Sequence, residues 1–202
     1  VSAYPQAVTP QMVLNFLRGG AGINVLARHV GASIIVVDIG VASDIEPHSA
    51  LGSRKIAYGT QNMARGPAMT KEQAIESIKV GLEIAEKEAK KGLDIVGTGD
   101  MGIGNTTASS AITAVITGEP VARVTGRGTG LDDRQITHKV EVIERALRVN
   151  QPNPDDPLDV ISKVGGFEIG GICGVIMGAA AHRIPVVIDG FISGAAALIA
   201  IG

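Results

Sequence analysis

Short apolar runs rich in β-branched residues alternate along this chain with longer stretches of helical periodicity. The runs lie at Ser33–Asp38, Leu93–Gly97 and Pro185–Ile188, and each is short enough to be a buried strand. Helical stretches separate them and no run of paired hairpins appears, so the strands are expected to be parallel. The alternation predicts an α/β fold of three layers, in which helices cover both faces of a mostly parallel, Rossmann-like sheet.

Capping signals place helices between these strands. Thr9 and Pro10 predict the start of a first helix, and Thr70 and Gln73 form a capping box for another. Further helices are expected over 24–30, 106–117, 133–149 and 168–182, with a last one after Gly190.

Two segments between the helices lack periodicity. Residues 40–69 carry Gly, Pro, Ser and Asn and predict a long loop, of the kind that is usually functional. Pro152, Pro154 and Pro157 predict a rigid connector. Because no internal repeat or low-complexity tract appears, we expect residues 1–202 to form a single domain.

The composition and net charge of the chain indicate which kinds of partner it is expected to bind. The chain has 18 Lys and Arg against 20 Asp and Glu, a net charge of −2, whereas nucleic-acid binding needs a basic excess. Only 2% of the residues are aromatic, so stacking surfaces for bases are scarce. The apolar stretch Ile169–Ala181 is too short to cross a bilayer and is interpreted as a buried helix. We therefore predict neither nucleic acid nor a membrane as partner.

The single cysteine, Cys173, excludes an internal disulfide and a cysteine-based zinc site. A reduced, cytoplasmic compartment is the expected location. The four histidines show no ligand spacing, so no metal site is predicted.

Three glycine-containing segments stand where the chain runs into a helix, at 99–107, 126–130 and 189–193. Ligands of such folds bind beyond the carboxyl ends of the strands, and free N–H groups at a helix start suit a phosphate or a carboxylate. The first segment is not a Walker A motif, because Gly104 is not followed by Lys and Ser or Thr, and no acidic ribose ligand of a dinucleotide motif follows it. Tight strand-to-helix turns would account for about half of these glycines without any ligand.

Polar residues near these segments have two interpretations each. Asp100 and Asp189 both end a strand, so each is a candidate site carboxylate or an N-cap of the next helix. Asp38 also ends a strand and has the same alternatives. Lys139 is a solvated surface lysine or a phosphate ligand.

At these loops the chain resembles the nicotinate-nucleotide:dimethylbenzimidazole phosphoribosyltransferases of cobalamin biosynthesis. The similar stretches follow the family's order and span nearly the whole chain, which is far more specific than a glycine loop. They lie at 4–9, 37–40, 66–69, 99–107, 150–154, 162–168 and 185–193.

The resemblance implies a reaction and a site. The ribose phosphate of nicotinate mononucleotide moves to a ring nitrogen of a lower-ligand base, giving α-ribazole phosphate and nicotinate, without a metal or organic cofactor. Asp100 corresponds to a catalytic acid that is usually Glu in the family. The family pattern places the substrate phosphate at Gly102, Asn105, Thr106, Gly128, Lys139 and Gly190.

The resemblance also implies a pocket for the aromatic base, lined by Tyr4, Met12 and Met101. Apolar or aromatic residues there suit an unsubstituted base or one that forms fewer hydrogen bonds. The family includes a phenol-accepting branch that works as a pair of related subunits. A homodimer is the expected assembly, and a heterodimer with a related subunit is the alternative.

The family's catalytic base stands in an Arg-Leu-Gly-Glu-Gly segment that would follow Gly202, and its Gly-Asp-His-Gly segment would precede Val1. Residues 1–202 are therefore expected to be a phosphoribosyltransferase core domain that lacks the N- and C-terminal parts of the family chain. The first functional hypothesis is the transferase, and the second is a non-catalytic or partner subunit. An unrelated nucleotide-binding α/β domain would require all the similar stretches to be coincidental.

Overall fold

Eight helices and four short strands make up the computed structural model, which describes all 202 residues. In chain order they are α1 (Val8–Leu17), α2 (Gly22–Val30), β1 (Val36–Asp38), β2 (Leu51–Ser53), α3 (Lys71–Ala89), β3 (Val96–Gly97), α4 (Asn105–Thr117), α5 (Asp133–Asn150), α6 (Pro157–Val164), α7 (Phe167–Ala181), β4 (Val186–Val187) and α8 (Phe191–Ile201).

The strands pair in parallel, as predicted, but they form two separate two-stranded sheets. Strand β1 pairs with β2, with Val36 opposite Leu51, and β3 pairs with β4, with Val96 opposite Val186. The fold is thus mixed α/β with small parallel sheets, and the prediction of one continuous three-layer sheet does not describe these residues. The observed strands are shorter than the predicted ones, because residues 33–35 and 93–95 have no neighbouring strand to complete a hydrogen-bonded ladder.

Two elements lie where the sequence predicted none. Strand β2 falls inside the expected loop 40–69, because its three residues pair with the distant β1 and show no periodicity of their own. Helix α6 follows the predicted proline connector. Its first residue is Pro157, and Asp156 caps it by accepting a hydrogen bond from the Asp159 N–H at 3.0 Å. The rigid φ of proline thus begins a helix here.

Capping predictions had mixed outcomes. The capping box is confirmed, since Thr70 Oγ1 accepts from the Gln73 N–H at 3.2 Å and Gln73 Oε1 accepts from the Thr70 N–H at 3.0 Å. The predicted start of α1 is wrong, because the helix begins before Thr9. The Thr9 hydroxyl instead accepts from the Ile103 N–H at 3.1 Å, which ties α1 to the loop after β3.

The core is built around α7, whose prediction as a buried helix is confirmed by its packing against α3 and α8. Glycines on α7 allow the backbones of α7 and α3 to approach closely. A Cβ on Gly174 would lie 1.9 Å from the Ile78 carbonyl oxygen, and one on Gly170 would lie 1.9 Å from Ser77 Oγ. None of the eight helices combines the length and the apolar character that crossing a bilayer requires.

We expect Gly174→Ala to lower the free energy of unfolding by about 2 kcal/mol, because the new methyl group meets rigid backbone of α3. Urea denaturation measures the change. Gly194→Ala in α8 is the matched control, since a Cβ there meets no heavy atom within 4 Å and replacing a helical glycine stabilises by up to about 1 kcal/mol. Equal unfolding midpoints for the two variants would contradict this account of the interface.

Candidate active site

A cavity of about 200 Å³ lies where the loop after β3, the loop before α5 and the beginnings of α4 and α8 meet. Two of the three glycine-containing segments therefore converge, and Ile192 of the third also contributes to the wall. Six of the predicted site residues line the cavity: Asp100, Met101, Gly102, Asn105, Thr106 and Gly128.

The N-terminus of α4 points its free backbone donors toward this space. The N-cap is Gly104, which has φ +94° and so occupies a left-handed conformation that glycine adopts without strain. No side chain caps the helix. The positive end of the helix dipole is therefore open to an anion in the cavity.

Lys139 provides a buried positive charge beside that helix start. Its side chain is 1% exposed, so its interpretation as a solvated surface lysine is wrong. Its Nζ donates to Thr106 Oγ1 at 2.7 Å and to the Gly126 carbonyl oxygen at 3.3 Å, and no carboxylate pairs with it. Burial lowers the pKa of Lys139, because the charged ammonium is removed from water without a counter-ion.

Gly128 lies against the Thr106 hydroxyl and the Lys139 ammonium group. It has φ +56°, and a Cβ at this position would lie 3.2 Å from Thr106 Oγ1 and 3.7 Å from Lys139 Nζ. A side chain here would crowd the hydroxyl and the ammonium group.

Asp100 lies in the cavity and does not cap α4, so its interpretation as an N-cap is wrong. Its Oδ2 accepts a hydrogen bond from Asn105 Nδ2 at 2.7 Å. Burial raises the pKa of Asp100, and the charge of Asp189 acts in the same direction, while the Asn105 bond opposes both. Asp189 is not an N-cap either, because the N-cap of α8 is Gly190 and no side chain caps this helix.

Asp38 is a structural carboxylate. It is 2% exposed, accepts from the N–H groups of Gly40 and Val41, and pairs with Lys55 Nζ at 2.8 Å. These bonds fix the turn that follows β1, and Asp38 does not line the cavity.

The sequence did not single out Glu168, although this residue lies beside the predicted acid. It stands in the first turn of α7, after the N-cap Gly166. Glu168 Oε1 and Asn105 Nδ2 lie 3.4 Å and 3.3 Å from the point where a Cβ of Gly102 would be. Burial and the charge of Asp100 raise the pKa of Glu168. The available signal was an acid in the first turn of a helix that follows two consecutive glycines.

The other four predicted residues do not line the cavity: Tyr4, Met12, Lys139 and Gly190. Tyr4 is exposed and Met12 is half-buried on α1, and neither lines the cavity. Gly190 is exposed at the start of α8, two residues before Ile192. Arg127, which was not predicted, does line the cavity and forms an ion pair with Asp133. No group of three or more His, Cys, Asp or Glu side chains is placed to hold a metal ion.

Comparison with known proteins identifies the family that this chain resembles over its whole length. A family model described as phosphoribosyltransferase matches residues 1–202. The nicotinate-nucleotide–dimethylbenzimidazole phosphoribosyltransferase of Chloroflexus aggregans is 65% identical over 200 residues, and that of Desulforudis audaxviator is 63% identical over 201 residues. These alignments cover 99% and 100% of this chain and 57% of each relative.

A solved structure, CobT from Thermus thermophilus, superposes with a TM-score of 0.95 at 44% identity. That match covers 99% of this chain and 60% of the other. The chain therefore spans less than two thirds of the length of the relatives that it matches. Since both the family model and these relatives cover essentially every residue described, the chain belongs to the nicotinate-nucleotide–dimethylbenzimidazole phosphoribosyltransferase family.

Proposed function

We propose that this chain carries the substrate-binding core of an enzyme that transfers the ribose phosphate of nicotinate mononucleotide to an aromatic base. The acceptor is dimethylbenzimidazole or a related base, and the products are nicotinate and α-ribazole phosphate for cobamide assembly. The relatives named for this activity are 60–65% identical over at least 99% of this chain. They give no support to the alternative of a non-catalytic partner subunit.

The buried, unpaired ammonium of Lys139 is the observation that carries this proposal. An isolated buried charge is costly, so a cation kept beside an open cavity is best explained by an anionic ligand. The α4 N-terminus and the Thr106 hydroxyl lie at the same end of the cavity. In our proposal the substrate phosphate binds there, on Gly102, Asn105, Thr106, Gly128 and Lys139, with Gly190 at the edge.

The leaving group does not need a proton donor from the protein. The nicotinate ring nitrogen is already positive in the mononucleotide, so it accepts the electron pair of the broken C–N bond without a proton. The acceptor's ring nitrogen donates its lone pair to the anomeric carbon, and the acceptor's N–H proton must then go to a base. In our proposal the Asp100 carboxylate stabilises the positive charge that develops on the ribose.

The aromatic base would lie on the apolar side of the cavity. Met101 lines that wall, and the Thr9–Ile103 bond holds α1, with Met12, close to the same loop. Met12 and Tyr4 remain proposed contacts of the base. A homodimer is the assembly that we propose, and a heterodimer with a related subunit is the alternative.

A transfer assay on the full-length gene product tests the proposal. We expect nicotinate release that depends on the acceptor, with dimethylbenzimidazole and phenol assayed side by side. Calorimetry on residues 1–202 compares nicotinate mononucleotide with nicotinate riboside, and the phosphate should strengthen binding at least about tenfold. Absence of transfer with both acceptors, together with equal affinity for the two ligands, would overturn the proposal.

Proton uptake gives a second test, through pH. Burial lowers the pKa of Lys139 in the free protein, and a bound phosphate dianion restores it toward its ordinary value. Mononucleotide binding should therefore take up protons at pH values around the lowered pKa, and affinity should fall as pH rises through that pKa. Calorimetry in two buffers of different ionisation enthalpy measures the uptake. An equal proton uptake with the riboside would show that another group titrates.

A further inference from the structure

Asp100 and Asn105, which line the cavity, form a small cluster with Glu168, which does not line it. Asn105 Nδ2 donates to Asp100 Oδ2 at 2.7 Å. The amide nitrogen and Glu168 Oε1 both lie within 3.4 Å of the position of a Gly102 Cβ. The mechanism outlined above uses Asp100 but leaves Glu168 without a role.

The groups around this pair are predominantly acidic. The charge of Asp189 acts on Asp100 from the loop before α8, and the charge of Asp100 acts on Glu168. Neither Asp100 nor Glu168 forms an ion pair with a cation; Lys139 donates to Thr106, and Arg127 pairs with Asp133. Two adjacent carboxylates without a cation between them do not both ionise readily.

The contacts distinguish the two acids. Asp100 accepts the short hydrogen bond from Asn105, which favours its ionised form. Glu168 is removed from water and faces the Asp100 charge, although its backbone N–H and its place in the first turn of α7 offset part of that cost.

Resting on the proposed function, we propose that Glu168 is a positioning residue for Asp100. The two carboxyl groups hold one proton across the Asn105 amide, with Glu168 protonated and Asp100 ionised. This arrangement keeps a single negative charge, directed by Asn105, at the place where positive charge develops on the ribose. It also limits the repulsion that two carboxylates would exert on the substrate phosphate.

Carboxyl ¹³C NMR of the unliganded protein tests this without substrate. The wild type should show two coupled ionisation steps, both visible at the Asp100 and Glu168 carbons. Glu168→Gln should remove the upper step and leave one step at Asp100, because glutamine imitates the protonated acid. Glu76→Gln, an exposed position on α3, is the control and should change neither curve. Identical Asp100 curves in the wild type and Glu168→Gln would overturn the proposal.

A second variant keeps the test decisive if Glu168→Gln does not fold. Asn105→Ala removes the amide that links the acids, so Asp100 should titrate at higher pH than in the wild type. An unchanged Asp100 titration in that variant would equally overturn the proposal.

Kinetics on the full-length gene product distinguish a positioning role of Glu168 from a purely structural one. Glu168→Gln should retain kcat at neutral pH within about threefold, whereas Glu168→Ala should lose about tenfold with an unchanged KM for the mononucleotide. Equal kcat for Glu168→Ala and the wild type would contradict a positioning role. A wild type with normal coupled titration but no transfer would instead refute the proposed function.

Discussion

Asp100→Asn should lower the turnover of ribose phosphate transfer by about 10²- to 10⁴-fold, the largest effect that we expect from any single substitution. Asp100 lies in the cavity wall and is oriented by Asn105 Nδ2 at 2.7 Å. Asparagine keeps the shape and an acceptor oxygen but removes the negative charge that would stabilise the developing cation.

The same variant should fold at least as well as the wild type. Because burial raises the pKa of Asp100, the ionised carboxylate binds a proton more readily in the folded than in the unfolded chain, and its charge costs stability at neutral pH. Removing the charge should therefore leave the free energy of unfolding unchanged or raise it by up to about 1 kcal/mol.

Turnover with dimethylbenzimidazole and with phenol, measured on the full-length gene product, checks this prediction. Asp94→Asn is the matched control, because Asp94 is exposed before β3 and does not line the cavity. Unchanged turnover on both acceptors, in an Asp100→Asn variant that melts normally, would remove Asp100 from the catalytic machinery.

Lys139→Met should weaken binding of nicotinate mononucleotide by about 100-fold while changing the affinity for free nicotinate little. Methionine fills a similar volume but cannot donate to a phosphate, and a hydrogen bond to a charged group contributes about 1.5–3 kcal/mol. The substitution should also stabilise the unliganded fold, since it replaces a buried ammonium that has no counter-ion.

Calorimetry with each ligand measures the difference, and thermal melting measures the stability. Lys87→Met, at an exposed position on α3, provides the control for charge removal at a distance from the cavity. An equal loss of affinity for the mononucleotide and for nicotinate would show that Lys139 does not contact the phosphate.

Local signals within the chain predicted most of the helices. Thr70 and Gln73 lie three residues apart, so the capping box that begins α3 could be recognised without any tertiary contact. The glycine-rich approach to α4 and the apolar character of α7 are equally local. The family, too, was recognisable from short stretches in the expected order, and six of the predicted site residues do line one cavity.

The errors fall where a residue's role depends on a distant partner. Strand β2 exists because it pairs with β1, and the sheets remain separate because no further strand completes them. Thr9 looked like a helix cap, yet its hydroxyl bonds to Ile103. Such pairings produce no periodic pattern of residues in either segment, so the sequence alone does not reveal them.

The electrostatic character of the site is likewise a product of packing. Residue type and spacing placed Asp100 and Lys139 near glycine-rich turns, and that much follows from the chain alone. Lys139 is buried without a carboxylate, and Asn105 and Glu168 meet beside Gly102, only when α4, α5 and α7 converge. A charge depends on the water and the partners around it, and these are set by segments far apart in the sequence.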